Sequence, residues 1–411
     1  MVYTLALNEA LFRALFMPWK ETKTMDQRTK FAQEAMHTDN LLALCKEYGI
    51  SRPTGYKWIA RYKALGASGM NDLSRAPKRN KNALSEDAVC EIVFLKKAHP
   101  KWGPAKIREL YRRKHKGREL PSESSFKRVL NKSGLTKKRR RRIVSNSSRL
   151  NSGAVATKAN DIWTIDFKGW WRDCNGLKVE PFTVRDEYSR KILDVRLLKS
   201  SKTEAVQACF EILFKRYGLP RMIRSDNGSP FASSRGLLGL SRLSAWWLAL
   251  GISLERGRPG CPQDNGAHER MHLDIYRELQ CEGVGFDQPA FDLWRKEYNE
   301  VRPHSSLGML TPDEVYSRSE VKYVGTPAEL GYPSMDQRKV HRRHGSIRLD
   351  NELYMLSSSL GGWHVGIKYA SKKMSEIWFS HLLIGHIDHA QRVFIPIAEN
   401  LRVTGKSKKT V

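Results

Sequence analysis

The sequence predicts a multidomain α/β chain with three parts: N-terminal all-α helix-turn-helix modules, a central mixed α/β core, and a small C-terminal β-barrel. Three observations lead there. Apolar residues at helical spacing, with serine caps and glycine turns between them, occupy the N-terminal part; alternating strand-like runs broken by one long helical pattern occupy the middle. Short alternating runs separated by Gly, Asn and Asp occupy the C-terminal part.

The chain has 411 residues, enough for about two to four domains with buried cores. Its formal net charge of +29 points to a polyanionic partner, because phosphates relieve such self-repulsion. Nucleic acid is the first candidate. An anionic membrane is the rival, but the longest apolar run, Ala245 to Leu250, is far below the ~18 residues a span needs. The six cysteines form no C-x-x-C pair, so neither a disulfide framework nor a zinc knuckle is indicated and a reducing compartment fits. Residues Met1 to Phe16 lack a basic leading region and contain Glu9 and Arg13, so they do not read as a signal peptide.

From Gln27 the pattern is helical, with Leu41, Leu42, Leu44 and Cys45 on an apolar face that ends at Tyr48-Gly49-Ile50. Ser51 is placed to cap the next helix, Arg52 to Tyr62, and the glycine turn between the two is a helix-turn-helix signature. In that arrangement the second helix enters the major groove, with Arg52, Thr54, Lys57 and Arg61 as candidate base and phosphate contacts. Tyr56, Trp58 and Ile59 are expected to pack the small core instead. The first module is expected over residues 17–70, followed by a polar linker at 71–84. A second module, residues 85–136, has Ser85 and Ser122 as caps and Trp102-Gly103-Pro104 opening its middle helix. Within the basic linker 137–159, Lys137, Lys138, Arg139, Arg140, Arg141 and Arg142 form an exposed arm that no core could absorb, suited to tracking phosphates.

The core is expected over 160–319. Strands are predicted at Ile162 to Phe167, Val179 to Arg185, Lys191 to Leu198, Met222 onward and Gly251 to Glu255, with a helix from Thr203 to Tyr217. Asp166 and Asp226 stand at strand ends, and Glu269 lies at the start of a helix after a Gly- and Pro-rich turn. Three carboxylates from separate elements suit a hard divalent cation, whose other ligands are water and substrate phosphate.

These residues resemble a known family. Asp166, Asp226 and Glu269 in this order, the tetrapeptide Ser225-Asp226-Asn227-Gly228, and Pro262-Gln263-x-Asn265-Gly266-x-x-Glu269 are similar to the integrase core of bacterial insertion-sequence transposases. So is the later run Tyr298-Asn299-Glu300-Val301-Arg302-Pro303-His304, with Leu307 and Thr311-Pro312. The likeness covers nearly the whole chain. It implies a ribonuclease-H-like core with both aspartates on adjacent strands and the glutamate on a facing helix. By the same resemblance, Asp166, Asp226 and Glu269 are the catalytic metal ligands for two Mg²⁺ or Mn²⁺ ions, and no other cofactor is implied. Asn227 and Asn265 are expected to cap the turn and helix beside them. One departure is the longer gap between Asp226 and Glu269, where residues around Ser233 to Ser244 read as an added loop or helical turn. Met17-Pro18-Trp19 resembles the usual start of family members, which makes 1–16 an upstream extension.

A competing motif overlaps the third carboxylate. His268-Glu269-Arg270-Met271-His272 matches the H-E-x-x-H zinc pattern of metalloproteases. No third ligand follows at a zincin spacing, and a zinc reading leaves both aspartates and the positive charge unexplained. His268 and His272 are therefore expected to be surface positions near phosphate, or neighbours that modulate Glu269. The β-barrel is expected over 326–400, with a basic edge at Arg338, Lys339, Arg342 and Arg343, and a disordered tail at 401–411. Together these features describe a DNA transposase that binds its element's terminal repeats, cuts there and joins the 3′ ends to target DNA. It is expected to work as a homo-oligomer in the cytoplasm, at the nucleoid. The alternative is a sequence-specific DNA-binding regulator with an inert core.

Overall fold

The computed structural model describes residues 24–74, 84–136, 153–167, 169, 171–172, 176–233, 236–257, 266–282, 287–371 and 373–397. The chain divides into two compact units, Met1–Ala83 and Leu84–Val411. The arm Lys137 to Arg142, the turn holding Pro262 and Asn265, the segment 1–16 and the tail 401–411 lie outside the described residues.

In the first unit, α1 (Thr24–Glu34), α2 (Leu41–Glu47) and α3 (Arg52–Leu65) close on Phe31, Ala32, Leu44, Cys45, Trp58 and Met70. Gly55 is required inside α3, because a Cβ there would meet the Cys45 sulfur at 2.7 Å and the Phe31 ring at 3.2 Å. Two expectations are corrected. Leu42 and Tyr56 are each 51% exposed instead of packed. Ser51 stands at the start of α3, yet its hydroxyl pairs with that of Thr54 at 2.9 Å and takes no backbone N–H. Pro53 removes one of the two N–H groups such a cap serves.

The second unit opens with α4 (Glu86–Ala98), α5 (Pro104–Lys114) and α6 (Glu123–Lys132), packed on Ile92, Leu95, Trp102, Ile107, Phe126 and Leu130. Here Ser85 and Ser122 do cap, accepting from Ala88 N at 3.3 Å and Ser125 N at 3.2 Å.

A mixed sheet follows, built from β1 (Ile162–Phe167), β2 (Trp171–Arg172), β3 (Lys178–Asp186), β4 (Ile192–Leu198), β5 (Met222–Ser225) and β6 (Ser253–Arg256). Its order is β2-β3-β1-β5-β6, with β4 also paired to β3. β1, β3 and β4 run antiparallel, whereas β1, β5 and β6 are parallel. One face buries Trp163, Ile165, Phe182, Val184 and Ile223 against α7 (Thr203–Tyr217) and α8 (Arg242–Ala249). The other face packs Ile192 and Val195 against α9 (Gly266–Glu282) and α10 (Gln288–Glu300). A register shift makes this possible. Val184 faces Asp194 while Arg185 faces Ile192, so Leu193 is an extra residue that turns Ile192 and Val195 to the same side. The open edge of β4 is covered by amides from α10. Asn299 accepts from Ile192 N and donates to Ile192 O at 2.9 and 2.8 Å, and Gln288 does the same for Leu197 N and Val195 O.

The C-terminal part corrects the predicted barrel. Strands β7 (Asp336–Lys339), β10 (His364–Tyr369), β11 (Met374–Phe379), β12 (Leu382–Asp388) and β13 (Val393–Pro396) form an open sheet in the order β13-β12-β11-β10-β7. β8 (Ser346–Leu349) and β9 (Glu352–Met355) pair only with each other. The basic edge expected at Arg338 and Lys339 is itself part of strand β7. The open sheet finds its missing cover in the core: Leu238, Leu240, Ala245, Leu248 and Ala249 share a cluster with Val365, Ile367, Ile377 and Phe379. The added length before α8 is thus a floor for the C-terminal sheet.

Two buried groups fix α9 and α10. Arg302, 5% exposed, donates to both Glu278 oxygens at 2.8 Å and to Asp274 at 2.7 Å, and Trp294 also donates to Glu278. Breaking a buried pair from one side leaves an uncompensated charge, so Arg302→Met is expected to destabilise the second unit by about 3–5 kcal/mol, read from denaturant midpoints. His304 lies 4.8 Å from the Tyr298 ring, and burial, then the charges of Lys106 and Arg302, push its pKa down to about 3. A depressed histidine gives stability that is full above its unfolded value and lost as pH falls from there toward the folded value. Unfolding free energy should therefore drop by up to about 1.4 kcal/mol per pH unit through this group between roughly pH 6 and 4. His304→Gln should flatten that slope; an unchanged slope sinks the assignment.

Candidate catalytic site

Asp166 lies one residue from the end of β1, opposite Thr183 of β3. Asp226 directly follows β5. The parallel register sets Thr164 beside Arg224, and each aspartate comes two residues later on its own strand, at the same end of the sheet. The Asp226 carboxylate is exposed and accepts from Gly228 N at 3.1 Å. A Cβ at Gly228 would approach that carboxylate to 2.9 Å, which gives the glycine of Ser225-Asp226-Asn227-Gly228 a steric reason. Asn227 donates to Gly257 O at 2.7 Å, stitching the exits of β5 and β6 together.

Glu269 is exposed in the first turn of α9, while its neighbours His268 and His272 are 0% and 4% exposed. The expected surface placement of these histidines is overturned. Residues four apart share a helix face, and this pair faces the sheet. His268 Nε2 and His272 Nε2 lie 2.6 and 2.8 Å from the Thr183 hydroxyl, which also stands 3.0 Å from the Asp166 carbonyl. A hydroxyl has one proton. Given to the carbonyl, it leaves both imidazoles to donate to the hydroxyl oxygen from Nε2. His268 Nδ1 then meets the Thr164 hydroxyl at 3.1 Å, and His272 Nδ1 lies 3.9 Å from the Asp166 carboxylate. Burial, reinforced by His272 and Arg185, holds the His268 pKa well below the ordinary value, in keeping with a neutral ring. The H-E-x-x-H motif is accounted for in this way: its imidazoles are spent on a threonine, and its glutamate points to solvent.

Oxygen donors at two neighbouring strand ends suit a hard divalent cation, which takes one or two carboxylates and completes its sphere with water and phosphate oxygens. Among the described residues, no three His, Cys, Asp or Glu side chains are gathered closely enough to hold an ion alone.

The predicted DNA-contact residues of α3 divide. Arg52 and Lys57 are exposed, with Arg52 reaching the Tyr56 hydroxyl at 3.3 Å. Thr54 is half-buried beside Ser51. Arg61 stacks 4.7 Å over Trp58 and donates to Asn71 O at 2.6 Å, so it is committed to the fold. Arg28 covers the same ring at 4.2 Å. Sequence reasoning missed Thr183 and Arg302. The histidine pair at helical spacing pointed toward an inward partner, but nothing local identifies a threonine so far back in the chain.

Residues 156–262 and 250–312 match families described as Integrase core domain. Residues 27–78 match a Helix-turn-helix domain and 54–130 a Homeodomain-like domain. The chain thus carries a stretch similar to an integrase core domain, preceded by stretches similar to helix-turn-helix and homeodomain-like domains. Among known proteins, the chain is similar to two from bacterial insertion elements. An uncharacterized 31.7 kDa protein of insertion element IS407 from Burkholderia multivorans is 27% identical over 46% of this chain and 66% of its own length. An uncharacterized 39.2 kDa protein of insertion element IS476 from Xanthomonas euvesicatoria is 27% identical over 54% of this chain and 62% of its own. The chain thus spans just under two thirds of each relative. The HTLV-2 integrase catalytic core domain, solved in complex with magnesium, is similar at 18% identity and a TM-score of 0.32, over 40% of this chain and 100% of that one. Among the described residues, no helix is long and apolar enough to cross a membrane.

Thr183→Val deletes the hydroxyl shared by both imidazoles and the Asp166 carbonyl, stranding buried polar groups. It should cost about 1–3 kcal/mol in urea unfolding, with Thr183→Ser restoring most of it. A stable Thr183→Val beside a destabilised Thr183→Ser would mean that the methyl, not the hydroxyl, matters.

Proposed function

We propose that the chain is a metal-dependent DNA transposase in which Asp166, Asp226 and Glu269 hold two divalent cations, Mg²⁺ or Mn²⁺, against the DNA backbone. The observation that carries this reading is the exit of Asp166 and Asp226 from neighbouring parallel strands at one end of the sheet. Such ions, when bound, stabilise charge on the attacking and leaving oxygens of phosphodiester exchange. The chain's own part is to hold its carboxylates on rigid strand ends and on a braced helix, and to fix the DNA beside them.

In the first reaction water attacks phosphorus at the element's end, the P–O3′ bond breaks, and a free 3′-hydroxyl remains. In the second that hydroxyl attacks a target phosphodiester, forming a new P–O bond as the target's own P–O3′ bond breaks. Neither reaction needs a nucleophile from the protein. Residues 17–70 and 85–136 are assigned to binding the terminal repeats, with Arg52, Thr54 and Lys57 of α3 at the DNA and the arm Lys137 to Arg142 along phosphates. The segment 160–319 is assigned to catalysis, and a homo-oligomer to holding two ends together.

Incubated with labelled duplex carrying its element's terminal repeats and Mg²⁺, the protein should yield nicked and joined strands. Asp226→Asn and Glu269→Gln should yield neither while binding the duplex as before. Salt-sensitive binding by all three without product would favour a DNA-binding regulator.

A further inference from the structure

The second helical module is built into the same compact unit as the catalytic sheet, Leu84–Val411, whereas the first belongs to Met1–Ala83. Its seam with the core is polar and specific. Arg113 of α5 donates to Glu314 at 2.8 Å and to Met309 O at 3.0 Å, and is braced from its own helix by Glu109 at 3.0 Å. Glu314 is held in turn by a capping box with Thr311 at the start of α11 (Pro312–Val315). At the end of α4, His99 lies 2.8 Å from Glu297 of α10. Between these two points Trp102, 3% exposed, stands 5.9 Å from the Arg302 guanidinium. The seat is thus the run from Glu297 to Glu314, and through Arg302 it continues to Asp274 and Glu278 on the helix that carries Glu269.

α6 is left free of the seam. Lys127, Arg128, Asn131 and Lys132 are exposed along it, and its acidic residue, Glu123, stands in the first turn. None of the three cations has an acidic partner among the described residues. The last helix of such a trio is the one that enters a major groove.

We propose that α6 reads duplex DNA from a fixed position on the catalytic body, so that the Arg113–Glu314 and His99–Glu297 seam sets the number of base pairs between the sequence read and the bond cut. The inference rests on the proposed DNA processing, but its first readout does not require cleavage.

The test uses the full chain and hydroxyl-radical footprints on the element's end duplex, with wild type and Glu269→Gln. The Lys127→Ala/Arg128→Ala variant should lose one protected stretch and bind about tenfold or more weakly, the effect of removing specific groove contacts. Inserting a few base pairs between that stretch and the terminus should shift the core's protection, and any nick, inward by the inserted length. Protection or nicking that stays at the terminus overturns the proposal, as does an unchanged footprint in the α6 variant. Footprints that shift together without any nick from wild type would uphold it while refuting the transposase reading. The Arg113→Ala/Glu314→Ala variant should leave affinity unchanged and spread the core's protection over neighbouring phosphates; a sharp, wild-type boundary there counts against the seam.

Discussion

A buried guanidinium has to be matched on several sides, and that demand organises the second unit. Arg302 satisfies it by drawing Asp274 and Glu278 from α9, one turn apart on one face, onto a residue just past the end of α10. Removing an ion from water costs several kcal/mol even after relaxation, so the arrangement is stable only while every partner stays in place. Tyr298 lies 5.0 Å from the guanidinium on the core side. The helix bearing Glu269 is therefore anchored at its middle by two carboxylates on one guanidinium.

That fixed phase decides which side of α9 faces what. With Asp274 and Glu278 turned to Arg302, and Met271, Ile275 and Leu279 turned to the sheet, His268 and His272 continue the inward stripe to the helix start. Imidazoles are tolerated there because Thr183 and Thr164 supply hydroxyl partners from β3 and β1. Glu269 falls beside this stripe and stays in water. A rotation of α9 that brought the glutamate inward would bury a carboxylate and take both imidazoles from their hydroxyl partners. The motif's two halves thus have separate duties, one packing and one presented.

Much of this fold was legible because its signals are local. Strand β1 and helix α7 follow from period and punctuation, and Ser85 and Ser122 cap as their positions indicate. The aspartates could be placed at strand ends for the same reason. What sequence could not supply is pairing across distance. Alternation in the C-terminal segment predicts strands but cannot tell whether the first and last meet. The β8–β9 hairpin stays apart, the order runs β13 to β7 without closing, and residues of α8 fill the apolar face instead. Strand β7, Asp-Gln-Arg-Lys, carries no apolar alternation and reads as a charged edge. Thr183 went unseen for the same cause, and Arg302, though part of the quoted run, gave no sign of its partners Asp274 and Glu278.

Charge illustrates the difference between composition and availability. The excess of 72 basic over 43 acidic residues points to a polyanion, yet a cation already bonded inside the fold cannot neutralise a phosphate. Arg28 and Arg61 enclose Trp58, Arg224 binds Glu255 and the Ala154 carbonyl, Arg113 holds Glu314, and Arg302 is buried. Each would score as a DNA contact by composition, and each is instead a strut. The cations left over on α3 and α6 stand on exposed faces of the last helix of each trio, where a groove-reading helix presents its side chains. Burial sorts the basic residues into those that shape the protein and those that can meet DNA, which net charge cannot do.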